Sequence, residues 1–204
     1  MKVKSLLLPA LLLTSLLSFA QIEKGSTLIG GTLAFSTVNN ESNNSKLTAF
    51  NISPAIGKAL KQNLVLGVDL LYYYSKSKSV GVPANEAKTN GIGGGVFLRQ
   101  YASLAKKLYL FGQGRIGTAF YKTEHTSPAI NDYKNFNINL SAYPGFAYSI
   151  TPRLMLEAGL PNLLQVNYGS QKIENSSDKN SSFEILTSLS DGVPLSIGLR
   201  VLLR

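Results

Sequence analysis

The chain contains no cysteine and no tryptophan, and it has one histidine in 204 residues. Without cysteine it forms no disulfide, offers no thiolate to a metal, and lacks the residue on which a lipoprotein carries its lipid anchor. A single histidine also argues against a transition-metal site. The composition therefore predicts neither a metal centre nor a bound cofactor.

Long hydrophobic runs are absent after the N-terminus. No segment beyond residue 20 approaches the roughly 18 continuous apolar residues that indicate a membrane-spanning helix. The formal net charge of +9 is spread along the chain and is not gathered in one basic stripe. Because nucleic-acid binding needs such a stripe, nucleic acid is not an expected partner.

Residues 1–20 have the composition of an export signal. Two lysines lie among the first four residues, an apolar run follows over residues 6–17, and Ser18-Phe19-Ala20 resembles an A-x-A cleavage site. The apolar run is too short for a transmembrane helix, which needs about 20 residues. We therefore predict a signal peptide at 1–20 that is removed, followed by a single domain at 21–204.

The rest of the chain alternates between apolar and polar residues with a period of two. The pattern is clearest over residues 136–150, where even positions are apolar or aromatic and most odd positions are small or polar. Because side chains alternate between faces along a strand, the pattern predicts a strand with one apolar face. That face carries Phe136, Ile138, Leu140, Ala142, Pro144, Phe146, Tyr148 and Ile150.

Seven other segments share this alternation, which gives eight candidate strands, each long enough to cross a membrane at a tilt with about 9–11 residues. The pattern is weaker at 26–37 and at 153–160, and the stretch 188–194 leaves the start of the eighth strand open. Apolar positions in three of these strands are Leu64, Leu66, Val68, Leu70, Tyr72 and Tyr74; Leu108, Leu110, Ile116 and Phe120; and Leu195, Ile197, Leu199, Val201 and Leu203.

The connections between strands alternate in length. Short ones fall at 58–63, 103–106 and 151–152, and long polar ones fall at 38–46, 76–89, 122–134 and 167–182. Short turns at one end and long loops at the other are typical of an outer membrane barrel, whose short turns face the periplasm. We predict an all-β fold, an eight-stranded antiparallel up-and-down transmembrane β-barrel.

Alternation alone does not say which face is inside. A soluble lipocalin-like barrel would place the apolar face inward, and a β-sandwich would show less asymmetry between its connections. We place the apolar face toward lipid because the other face carries many glycines and the charged residues Asp69, Arg99, Arg115, Glu157 and Arg200.

These inward charges predict a feature of the lumen. Counted from the short turns, Asp69, Arg99, Glu157 and Arg200 lie at a similar depth, and Arg115 lies about one layer higher. Buried charges must be paired, and an eight-stranded barrel is just wide enough for side chains to fill it. We expect a salt-bridge layer that plugs the lumen, with a narrow selectivity ring as the alternative.

Two short motifs match binding sites only in part. Gly112-Gln-Gly-Arg-Ile-Gly117 matches G-x-G-x-x-G, but the alternation continues after it and no helix follows to receive a pyrophosphate. Glu174 and Asp178 are candidate calcium ligands, but the spacing of a calcium-binding loop is missing. Packing of the barrel wall and a solvated loop are the simpler interpretations.

Four stretches of sequence resemble a known family. They are Ser53-Pro-Ala-Ile-Gly57 followed by Asn63-Leu-Val-Leu-Gly-Val-Asp69, then Lys107-Leu-Tyr-Leu-Phe-Gly-Gln-Gly114, then Tyr143-Pro-Gly-Phe-Ala-Tyr148 with Thr151-Pro-Arg-Leu-Met-Leu-Glu157, and Ser196-Ile-Gly-Leu-Arg200. Together they resemble the small outer membrane β-barrel domain family of Gram-negative bacteria, the OmpA/OmpW-like eight-stranded barrels. The resemblance implies location in the outer membrane and insertion by the barrel-assembly machinery.

The function expected on this basis is that of a monomeric, non-enzymatic outer membrane protein with a structural or surface-interaction role through long extracellular loops. A narrow porin-like channel for small or hydrophobic solutes is the alternative, and Pro144 and Pro161 mark positions where its wall would break. A lipid hydrolase that uses His125 is a third reading. Expected partners are outer membrane lipids and lipopolysaccharide, whose phosphates would meet lysines near the long loops: Lys76, Lys78, Lys88, Lys122, Lys134, Lys172 and Lys179.

Overall fold

The computed structural model describes residues 22–40, 44–79, 85–174, 179–187 and 196–204. All the regular elements in these ranges are β-strands. None of the described residues belongs to a helix long and apolar enough to cross a membrane. The predicted signal peptide at 1–20, the candidate calcium ligand Asp178 and the uncertain start of the eighth strand lie outside the described residues.

Ten strands are present in chain order. They are β1 (Thr27–Asn40), β2 (Ser45–Lys61), β3 (Leu64–Ser79), β4 (Asn85–Ala105), β5 (Leu108–His125), β6 (Tyr133–Ser149), β7 (Leu154–Gly159), β8 (Leu164–Ile173), β9 (Lys179–Leu186) and β10 (Ser196–Leu203).

These strands form one antiparallel ring, which β1 and β10 close along Thr27–Leu33; among the described residues, β9 and the rest of β1 do not pair with each other. Strands β1 to β6 each pair with the next in sequence, and β10 pairs with both β7 and β1. Strand β8 continues the position of β7 along β6, and β9 pairs with β8. Ten strands thus fill eight positions, and the predicted eight-stranded up-and-down barrel is confirmed.

The seventh position is interrupted between β7 and β8. The Leu160 amide donates to the Pro144 carbonyl at 2.9 Å, and the Leu163 amide donates to the Ala142 carbonyl at 2.8 Å, so the chain stays tied to β6 across the interruption. Pro161 lies between them and has no amide proton for a ladder. The two prolines that the sequence marked as breaks therefore lie at the same irregularity.

Exposure settles which face is outside. Leu70 is 66% exposed, whereas its neighbour Asp69 is 8% exposed, and Leu199 is 51% exposed beside Arg200 at 5%. The same contrast runs around the ring, so large apolar side chains cover the exterior and charged ones are enclosed. The lipocalin-like alternative, which needs the reverse arrangement, is wrong.

The expectation of long loops is also wrong. Strand β3 runs to Ser79 and β4 begins at Asn85, so most of 76–89 is paired strand, with Lys76 opposite Lys88. The β1–β2 and β8–β9 ladders likewise extend into the predicted loops. Apolar residues alternate with polar ones only where one face of a strand contacts lipid. Beyond that level both faces of the strand contact water, so its side chains can all be polar. The backbone hydrogen bonds between neighbouring strands continue there.

The end of the barrel that holds both termini, here called the terminal end, is closed by the N-terminal segment. Ile22 is 1% exposed. Its amide donates to Asn63 Oδ1 and its carbonyl accepts from the Asn63 amide, both at 2.9 Å. Ile22 packs with a buried cluster inside the ring that includes Leu28, Val65, Tyr101, Tyr109, Met155 and Leu202.

Glycines in the wall make room for the large side chains that fill the ring. A Cβ at Gly145 would overlap the ring of Phe111, and one at Gly91 would overlap the ring of Tyr121. The interior is therefore filled by aromatic rings that stand over glycines, as the packing interpretation of the glycines expected.

Candidate functional site: the charged lumen

Three of the predicted lumen charges meet near the terminal end. Arg99 on β4 donates from Nη1 to both carboxylate oxygens of Glu157 on β7, at 2.6 and 2.7 Å. Arg200 on β10 donates from Nε to Glu157 Oε2 at 3.0 Å. Since β4 and β7 are not neighbours in the ring, the Arg99–Glu157 pair spans the lumen.

Polar and aromatic neighbours complete this cluster. The Tyr101 hydroxyl donates to Glu157 Oε1 at 2.8 Å, and Arg99 Nε donates to Gln113 Oε1 at 2.7 Å. The Arg99 guanidinium carbon also lies 4.3 Å from the centroid of the Phe111 ring. Arg99 and Glu157 are each 2% exposed, and buried charges are tolerated when paired and hydrogen-bonded in this way.

Asp69 and Arg115 form a separate layer. Arg115 donates from Nε to Asp69 Oδ2 at 2.8 Å and from Nη2 to Oδ1 at 2.5 Å, a bidentate pair. The sequence placed Asp69 with Arg99, Glu157 and Arg200, but the structure pairs it with Arg115. Gly95 and Gly117 lie opposite each other beneath the Arg115 guanidinium, where a Cβ on either would crowd it.

The lumen around these layers holds little open space. The cavities that adjoin Arg200 measure about 60 and about 10 Å³. The larger one lies between the two charged layers and is lined by Asp69, Arg115 and Tyr143 among others. Together with the aromatic cluster below, the two layers block the terminal half of the barrel, and a pocket of about 210 Å³ lined by Ile22, Tyr109 and Met155 among others lies at its mouth.

A larger polar chamber lies on the other side of Arg115, toward what is here called the distal end. It measures about 320 Å³ and is lined by inward residues of β5, β6, β8 and β9. Asn139 Nδ2 donates to Asn167 Oδ1 at 2.6 Å, and Gln165 Nε2 donates to the same oxygen at 3.1 Å. The inward asparagines of β6 were visible in the sequence, but their β8 partners could not be assigned without the register.

His125 ends β5 at the distal rim. Its Nδ1 lies 3.9 Å from Asp132 Oδ1 and has no hydrogen-bond partner among the described residues. That separation is too long for the hydrogen bond that orients a catalytic imidazole. The Asp132 oxygen instead accepts from the His125 backbone amide at 2.8 Å.

The two remaining motifs gain no support. Gly112 and Gly114 lie within β5 on its outer face, with open space where a Cβ would stand, and the strand continues to His125. A helix N-terminus for a nucleotide phosphate is therefore missing at this position. In the described residues no group of three or more histidine, aspartate or glutamate side chains could hold a metal ion.

No protein-family model matches the chain, and no curated protein matches it. Solved structures of small outer membrane barrels are similar to it, including the following two. Neisserial surface protein A shares 18% sequence identity and a TM-score of 0.51, covering 87% of this chain and 99% of that one. The outer membrane protein OprG from Pseudomonas aeruginosa shares 11% identity and a TM-score of 0.54, covering 92% and 100%. The chain therefore has the fold of these small outer membrane β-barrels.

Proposed function

We propose that the protein is a non-enzymatic integral outer membrane protein, with a closed barrel that serves a structural or surface-interaction role. The observation that carries the proposal is the filled lumen. Arg99, Glu157 and Phe111 are each 2% exposed and stand between the terminal end and the distal chamber. A continuous passage would require these side chains to leave their partners.

The apolar exterior supports a membrane location. Single exposed apolar residues are normal in soluble proteins, but a continuous apolar surface around a ring is suited to hydrocarbon. Tyr72 lies toward the distal end of this surface, and Tyr148 lies toward the terminal end. Tyrosines at both edges match the aromatic girdles of membrane barrels. The predicted export signal and the shared fold favour the outer membrane.

The filled lumen favours the structural role over the porin-like channel. Separating Arg99 from Glu157 would leave two buried charges without their partner, so thermal opening of this bridge would be rare. The surface available for interactions at the distal end differs from the long loops that the sequence predicts.

Paired strand extensions, such as the ends of β3 and β4, would contact partners in place of long loops.

The partners proposed are outer membrane lipids and lipopolysaccharide, with the barrel-assembly machinery acting during insertion. The monomeric state is supported by closure of the terminal half, because β1 and β10 pair with each other and offer no free edge along Thr27–Leu33. An enzymatic role gains no support from His125, whose imidazole lacks an orienting hydrogen bond at Nδ1 among the described residues.

The test is fractionation followed by conductance. We expect the protein in the outer membrane fraction, with a mobility shift on boiling in SDS, and no conductance steps in planar bilayers when a porin under the same conditions gives them. A soluble periplasmic protein without a shift would overturn the membrane proposal. Regular conductance steps from the wild-type protein would overturn the closed barrel and establish the channel.

A further inference from the structure

A row of four lysines crosses the outer face near the distal end. Lys122 on β5 lies opposite Lys134 on β6, Lys134 lies opposite Lys172 on β8, and Lys172 lies opposite Lys179 on β9. Like charges directly opposite each other on neighbouring strands are destabilising. Four in succession point to an anion that offsets the repulsion.

The acidic side chains near the row neutralise only part of it. Glu124 lies 2.7 Å from Lys122, and Glu174 lies 2.7 Å from Lys134. Both pairs are exposed and hence weak. No carboxylate of the described residues lies within ion-pair distance of Lys172 or Lys179, so the row keeps an excess of positive charge.

An open apolar groove of about 710 Å³ lies directly beneath the row on the same outer face. Its lining includes Ile92, Phe120, Phe136 and Tyr168, and the rings of Phe120 and Phe136 are 4.9 Å apart. Ser170 lies opposite Phe136, and this small side chain lines the depression beside the rings. The phenylalanines are two residues from the lysines along their strands, a spacing of about 7 Å.

We propose that this groove binds a phosphorylated glycolipid of the outer leaflet, with its phosphates on the lysine row and its acyl chains against Phe120, Phe136 and Tyr168. The inference deepens the proposed function, on whose membrane location it rests. A free phosphate would bind the lysines but would leave the aromatic rings of the groove uncovered. A lipid without net charge would contact the aromatic rings of the groove but would leave the repulsion between the lysines in place. A phosphorylated glycolipid satisfies both.

A second lysine group on the same face supplies the matched control. Lys76, Lys78 and Lys88 surround Glu86, with nitrogen–oxygen distances of 2.6, 3.5 and 3.6 Å. These lysines share an internal counter-ion and do not line the groove. Neutralising two of them changes the net charge of the surface without touching the proposed site.

The experiment compares lipid binding by the folded barrel in detergent, measured by native mass spectrometry. The probes are a diphosphorylated lipid A, its dephosphorylated form, and inorganic phosphate as competitor. The variants are Lys134→Gln/Lys172→Gln/Lys179→Gln, Phe136→Ala, and the control Lys76→Gln/Lys88→Gln. Each variant is first checked for the mobility shift on boiling, so that only folded barrels are compared.

We expect one diphosphorylated lipid to bind the wild-type barrel and the control variant equally well. The triple lysine variant should bind it on the order of 100-fold more weakly, because each lysine near a membrane surface contributes about 1 kcal/mol to anionic lipid binding. Phe136→Ala and dephosphorylation of the lipid should each weaken binding measurably, and inorganic phosphate should compete poorly.

If the control variant bound the lipid as weakly as the triple lysine variant, the effect would come from the net charge of the barrel surface. That result would overturn the proposed site. Full competition by inorganic phosphate, with Phe136→Ala unaffected, would show that the lysines bind phosphate alone and overturn the lipid. A wild-type barrel that shifts on boiling but binds no lipid would overturn only this inference. The absence of a membrane-inserted barrel would overturn the proposed function.

Discussion

The two halves of the lumen are built by the same strands but filled differently. In β5 the inward residues near the terminal end are Tyr109 and Phe111, each at most 2% exposed, and those near the distal end include Gly117 and Ala119. The first half is filled by rings and paired charges, and the second holds a chamber of about 320 Å³. In a barrel of fixed width, the size of alternate side chains decides whether the interior is closed.

The comparison also separates two ways of burying polarity. In the terminal half, Glu157 accepts from two guanidinium groups and a hydroxyl that are cut off from water. In the distal half, Asn139 and Asn167 bond to each other beside an open chamber. Removing a partner should therefore be costly in the first half and mild in the second.

The largest effect is expected from Glu157→Ala. It leaves Arg99 and Arg200 buried with like charge and no carboxylate, so we expect a loss of about 3–5 kcal/mol in the free energy of unfolding. Urea unfolding in detergent micelles, followed by tryptophan-independent signals such as circular dichroism, measures it. A loss below about 1 kcal/mol would mean that water reaches this cluster and that the two halves do not differ as described.

Gly145→Ala should have the next largest effect. Its Cβ would overlap the Phe111 ring and approach the Ala158 carbonyl, and overpacking of this kind costs about 1–3 kcal/mol. Gly114→Ala is the control, because a Cβ there meets no atom within 4 Å. The same unfolding assay compares them, and equal stability of the two variants would contradict a tightly filled terminal half.

Asn139→Ala in the chamber should cost only about 1 kcal/mol, the net value of a typical hydrogen bond. Asn167 and Gln165 keep their own contact, and water can reach the chamber. If this variant proves as destabilising as Glu157→Ala, the distal half must be sealed, and the contrast between the halves would fail.

The smallest effect is expected from acidification. The hydrogen bond from Lys76 lowers the pKa of Glu86 below its usual value, with the charges of Lys78 and Lys88 adding to it. A lowered pKa means that the stabilisation is present above the unfolded-state value and is lost as the pH falls through the folded one. Wild type and Glu86→Gln should therefore differ slightly in melting temperature at pH 7 and converge at strongly acidic pH. If the two melting temperatures moved further apart as the pH falls, ionised Glu86 would not be stabilising and the prediction would be wrong.

Part of this architecture could be predicted from sequence, because the membrane and the lumen impose opposite demands on alternate residues. The outward positions of β6 and the inward charges of β4, β7 and β10 follow from alternation, once the face that carries the glycines and charges is taken as the inner one. The partner of Asp69 could not be predicted, since counting residues gives approximate depth and the tilt of each strand shifts the layers. The three-dimensional structure pairs it with Arg115.

The paired distal strand ends were not predicted, and for a related reason neither was the arrangement of four of the predicted phosphate-facing lysines in one row. Lys122, Lys134, Lys172 and Lys179 lie in segments without apolar alternation, which the sequence assigned to loops. Once the ladders are known to continue, the register places them side by side. Pairing between strands depends on backbone hydrogen bonds, which leave no mark on composition.

The seam between β1 and β10 has a consequence for the order of assembly. It joins the two ends of the chain, from Thr27 opposite Leu203 to Leu33 opposite Ile197. Contacts between distant parts of a chain carry the largest loop-closure entropy and tend to form late. Strand β10 brings Arg200 to Glu157 through its other neighbour, β7, so this ion pair can form before the seam closes. A barrel left unsealed would keep its charged plug but would leave the facing backbone edges of β1 and β10 without hydrogen-bond partners, so closure is driven by the backbone and not by the buried charges.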